Sequence, residues 1–159
     1  MKKRMILALL FLFSFGAAEA KLSDERIAVG GMTPGTPEEY IVSTYGPPAR
    51  KEKSFYAPRG EWIYEYVYGD SFFISVLEKE KTVFRVMSLG QKNGIATPDG
   101  IAIGAPFTDV IAKYGEPDLR QIDGDTDYFW YFGDSEKGNL VFHVSFGYLT
   151  GIEIGRAHV

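Results

Sequence analysis

From Thr36 onward the hydrophobic pattern changes period, and it does so twice along the chain. Thr36-Pro37-Glu38-Glu39 reads as a helix start, with Thr36 as N-cap, Pro37 in the first turn and Glu39 closing a capping box. The helix is expected to run to about Tyr45, where Gly46 stops it and Pro47-Pro48 forbid continuation. The period then becomes two. EWIYEYVY (Glu61–Tyr68) places Trp62, Tyr64 and Tyr66 on one face, and SFFISVL (Ser71–Leu77) places Phe72, Ile74 and Val76 together. Gly69-Asp70 is a turn, EKEK (Glu78–Lys81) a charged hairpin loop, and TVFRVM (Thr82–Met87) a third strand. The same order returns with a helix from Pro106 to Gly115 that has only Ala105 for a cap. After it come YFWYF (Tyr128–Phe132), a DSEKG loop, LVFHVSF (Leu140–Phe146) and TGIEI (Thr150–Ile154).

The two halves match residue by residue. Gly31–Pro48 falls on Gly100–Pro117, so that Gly35 meets Gly104, Pro37 meets Pro106, Tyr45-Gly46 meets Tyr114-Gly115 and Pro48 meets Pro117. Downstream, Trp62 falls on Trp130, Val76 on Val144 and Val86 on Ile154. The expected fold is therefore α+β in two tandem units, each a short helix packed on one face of a three- to four-stranded antiparallel β-meander. The expected domains are residues 21–89 and 100–159, joined by a linker over residues 90–99.

The first twenty residues stand apart. Lys2, Lys3 and Arg4 precede an apolar run from Met5 to Phe15, and Ala18-Glu19-Ala20 forms a small-x-small site, which is the anatomy of a cleaved signal peptide. The expected product is exported, to a periplasm or to the medium, with no stable membrane anchor after cleavage. Loss of that segment takes three cations and one anion and moves the formal net charge from −4 to −6. Such acidity argues against nucleic acid and against anionic lipid as partners. With no cysteine in the chain, thiol catalysis, disulfides and thiolate metal sites are excluded.

The helix ending in Tyr-Gly-x-Pro, followed by a Trp/Tyr-rich meander, resembles the beta-lactamase inhibitor protein fold and the related small outer-membrane assembly lipoproteins. The resemblance covers Gly31 to Ile154 and implies a non-catalytic protein that works through protein–protein contact. The chain lacks both the lipidated cysteine of the assembly lipoproteins and the disulfides of the inhibitor, so no residue's role carries over.

Candidate chemistry is sparse. Asp123, Asp125 and Asp127 have the spacing that opens a calcium loop, with Asp134 at the twelfth position, but Tyr128 stands where the loop needs glycine. A solvated acidic turn is the simpler reading. His143 and His158 are too few for a zinc site, and no Ser sits in a nucleophile motif. Neither a cofactor nor a metal is expected, and no enzyme activity. With Trp62, Tyr64, Phe72, Ile74, Trp130, Leu140 and Phe142 assigned to the helix-covered side, the opposite side carries Ile63, Glu65, Phe73, Arg85, Phe129, Tyr131 and His143. Phe73, Arg85, Phe129, Tyr131 and His143 are the expected binding residues, since aromatic and Arg side chains are enriched at interfaces. The function expected is an exported, non-enzymatic module that binds another protein through open sheet faces. The alternatives are an envelope-assembly accessory factor and an inhibitor-like effector or hydrolase with an unrecognised site.

Overall fold

The computed structural model describes residues 21–135 and 138–155. Residues 1–20, expected as a signal peptide, and His158 lie outside them. Among the described residues no helix is long and apolar enough to cross a membrane.

Both helices form where the pattern places them, at α1 (Glu38–Tyr45) and α2 (Phe107–Tyr114). Each ends on a left-handed glycine, Gly46 at φ 73° and Gly115 at φ 75°, whose N–H closes the last turn on Val42 and Ile111 respectively. The starts differ from expectation. Pro37 and Pro106 are the N-caps, and neither helix has a side-chain cap. The Thr36 hydroxyl instead accepts from the Thr33 N–H. The first helical N–H groups donate across space, Glu38 to the Lys81 carbonyl and Phe107 to the Gly147 carbonyl. A hairpin turn thus takes the place of the capping side chain, which is why weakly capped sequences still start firmly.

Eight strands follow: β1 (Arg50–Tyr56), β2 (Glu61–Tyr68), β3 (Phe72–Leu77), β4 (Thr82–Leu89), β5 (Leu119–Asp123), β6 (Thr126–Phe132), β7 (Asn139–Ser145) and β8 (Tyr148–Gly155). They form one antiparallel sheet in the order β1-β2-β3-β4-β8-β7-β6-β5. This corrects the expected architecture. The molecule is dominated by a single undivided sheet and is not two helix-plus-meander units. The physical reason lies in β4 and β8. Each ends a meander with an apolar strand whose free edge would be exposed, and pairing them from Arg85↔Gly155 to Leu89↔Gly151 removes both edges. The strands left outermost, β1 (RKEKSFY) and β5 (LRQID), are the polar ones.

The larger core cluster lies on the helix-covered side and spans the sheet. A row of directly opposed residues crosses six strands, from Tyr66 through Ile74, Val86, Ile154 and Leu140 to Tyr131, all buried. Ile41 of α1 and Val110 of α2 pack on this side. Residues 90–99, expected as a linker, are built into the structure. The Asn93 amide donates to the Ser71 and Ser88 hydroxyls, and buried Thr97 accepts from the Tyr114 phenol. Burial pushes that phenol well above its ordinary pKa. The segment ahead of α1 is tied to the second half. Leu22 N–H donates to Phe132, and Arg26 pairs with Asp99 at 3.0 Å over the Tyr114 ring.

Candidate binding groove on the open face

The sheet face turned away from α1 and α2 is set by register. Residues directly opposite in a ladder share a face. One row on the open face runs Val67, Phe73, Met87, Glu153, Val141, Trp130, Leu119. The next runs Glu65, Ser75, Arg85, Gly155, Asn139, Phe132. A third brings His143 between Gly151 and Tyr128.

Of the five expected binding residues, Phe73, Arg85 and His143 lie on this face. Phe129 and Tyr131 do not, which corrects their expected exposure. Phe129 stacks on Phe107 of α2 at 3.9 Å. Tyr131 is 2% exposed, packs on Tyr114, and donates to the Gly115 carbonyl at 2.9 Å. Trp130, expected under the helix, is on the open face. Alternation alone groups Trp130 with Leu140 and Phe142, whereas the ladder pairs it with Val141 and shifts β6 by one residue in phase.

Two β-bulges shape the face. Ser75 pairs Arg85 while Val76 pairs Val83, leaving Phe84 as the extra residue. Phe84 therefore turns to the same side as Arg85 and packs with Ile63, Leu77 and Tyr56. The matching shift at His143/Val144 leaves Thr150 extra. The sheet curls around this side. Tyr56 from β1 and Leu119 from β5, at opposite ends of the strand order, line the same groove of about 320 Å³. Phe84, Trp130, Phe132 and Val141 supply apolar wall, and Arg85, Gln121, Asn139 and Glu153 supply polar groups. A second, more open groove of about 550 Å³ continues toward Ile122 and Asp123, sharing Gln121, Trp130, Val141 and Glu153 with the first.

The polar groups are only partly paired. Arg85 Nη2 donates to Glu65 Oε2 at 3.3 Å, and Ser75 Oγ donates to the same oxygen. Arg85 Nε, Trp130 Nε1 and His143 Nε2 are buried without a hydrogen-bond partner, although His143 Nε2 comes within 3.6 Å of Glu153 Oε2. All three belong to open-face side chains. Gly151 makes room for the imidazole, since a Cβ there would meet His143 Nδ1 at 2.7 Å. Nothing in the sequence indicated that Glu153 and Trp130 would meet Arg85, because the seam pairs residues more than sixty positions apart.

The acidic run does not converge. Asp123 ends β5 and Asp125 sits in the turn after it, Asp127 pairs with Arg120 at 2.8 Å, and Asp134 follows the far end of β6. Seven strand residues at about 3.3 Å each separate the two ends. Among the described residues there is no group of three His, Cys, Asp or Glu side chains placed to hold a metal ion.

No known family profile matches the sequence, and no curated protein sequence matches it. Three solved structures share features of the fold. An extracellular protein containing a SCP domain from Bacillus anthracis is 16% identical with a TM-score of 0.49, over 99% of this chain and 50% of that one. A candidate beta-lactamase inhibitor protein from Streptococcus mutans is 16% identical with a TM-score of 0.30, over 76% of this chain and 82% of that one. A cysteine-rich secretory protein from Staphylococcus aureus is 13% identical with a TM-score of 0.44, over 76% of this chain and 42% of that one. This chain thus spans half the length of the first and less than half of the third. Nothing found supports the outer-membrane assembly lipoproteins. At these identities and scores none of the three assigns a function to this chain.

Proposed function

We propose that this is an exported, non-enzymatic module that binds another protein through the open face of its sheet, centred on the β4–β8 seam. The observation that carries this reading is the groove itself. One side of the sheet is covered by α1 and α2, whereas the other keeps partly exposed Phe73, Arg85, Met87, Trp130 and His143 in a curved surface. Aromatic, Met and Arg side chains are the types enriched at protein interfaces. Export rests on the basic, apolar and Ala-x-Ala order of the first twenty residues.

The test is site-specific photo-crosslinking in the native host. A crosslinking residue at Phe73, Arg85 or His143 should give one defined protein adduct in the exported fraction. The same residue at Tyr40, exposed on α1, should not. Equal adducts at both faces, or none at the open face, would refute the assignment. A protein that keeps Met1 and stays in the cytoplasm would refute export.

A further inference from the structure

We infer that the groove at the β4–β8 seam is also a site for an uncharged small molecule that joins a flat apolar body to a carbonyl acceptor, as in an amide, ester or lactone. This goes beyond the reading above, because it needs no protein partner. The groove volume of about 320 Å³ falls in the range of small-ligand pockets, about 300–1,000 Å³. Its walls, from Tyr56 and Phe84 to Trp130 and Phe132, suit a planar apolar body.

The polar groups select the head. Arg85 Nε–H and Trp130 Nε1–H are donors in every protonation state, and both are buried without an acceptor. Buried donors left unpaired are costly, so an acceptor placed between them recovers free energy that the isolated protein forgoes. Both residues line the groove. Charge narrows the choice. Glu153 lines the groove and Glu65 pairs with Arg85 beside it, so an anion meets two carboxylates. A cation offers no acceptor to these two donors. A neutral carbonyl is the acceptor left. The adjoining groove of about 550 Å³ gives room for substituents beyond Trp130.

The experiment is a titration of ¹⁵N-labelled protein with N-benzylacetamide, following the two indole N–H signals. The Trp130 signal should move saturably, with a dissociation constant on the order of 1 mM or tighter for a ligand of this size. The Trp62 signal should stay in place, since Trp62 lies on the opposite side and is 47% exposed. Phenylacetate and benzylammonium should bind more weakly. Trp130→Phe keeps the wall and removes the donor, and should weaken binding roughly fivefold or more. Leu119→Ser, at an exposed edge position, removes part of the wall without touching the core and should also weaken it, which covers the case of a poorly folded Trp130 variant. An unmoved Trp130 signal, tighter binding of phenylacetate, or unchanged affinity in both variants would overturn the inference. So would tighter binding of an end-blocked peptide with a central phenylalanine, which would give the groove to a partner's chain and leave the protein-binding reading standing.

Discussion

Replacing Phe146 by Asn should make the protein more stable, although it deletes an aromatic ring. Phe146 and Gly147 are the two-residue turn between β7 and β8, closed by the Ser145↔Tyr148 pair. Both have positive φ, 52° and 82°, as a type I′ turn requires, and the residue favoured at the first position is Asn or Asp. An L-residue with a Cβ loses about 1–2 kcal/mol in this left-handed region, a cost Asn largely escapes. The ring returns little, because Phe146 is 89% exposed. The remaining tenth of an aromatic's ~150–250 Å², at ~25 cal/mol/Å², contributes about 0.5 kcal/mol. The net expectation is a gain of about 1 kcal/mol, or roughly 2–5 °C in thermal midpoint for a chain of this size. Urea unfolding should show a raised midpoint with unchanged slope, since the surface exposed on unfolding hardly changes. A midpoint that falls would refute the reasoning and mean that the ring packs on the molecule.

Tyr131→Ala should destabilise by about 3–5 kcal/mol, as expected for loss of a buried aromatic, and Tyr131→Phe by about 1 kcal/mol through loss of the bond to the Gly115 carbonyl. Urea midpoints would check both, and a near-neutral Tyr131→Ala would contradict its placement under α2. Glu38 gives an acid limb. Its burial raises the pKa, but hydrogen bonds from Tyr66 and Lys51 and the charges of Lys51 and Lys81 outweigh this and hold it below the ordinary 4.5. A depressed carboxyl contributes stability that is complete above 4.5 and is lost as pH falls through the folded value. Urea midpoints measured below pH 4.5 should therefore fall less steeply in Glu38→Gln than in the wild type.

What the sequence determined is local. The Gly stops at Gly46 and Gly115, the alternation over Glu61–Tyr68 and the polar hairpin loops each act over a few residues, so α1, α2 and six strands stand where the pattern puts them. β1 and β5 escaped notice because an edge strand with solvent on both sides has no apolar alternation to show; every residue of β5 is exposed. Tertiary structure alone decided the rest. A strand's period of two says which residues share a face, not which face meets the helix, and a one-residue slip exchanges the faces. That slip puts Trp130 on the open face and Phe129 and Tyr131 under α2. The joining of β4 to β8 depends on two free strand edges meeting across the chain, which no local pattern encodes. Because the groove exists only where that seam and the curl of the sheet bring Tyr56, Arg85, Trp130 and Glu153 together, its residues had no common signal to be read before the chain was folded.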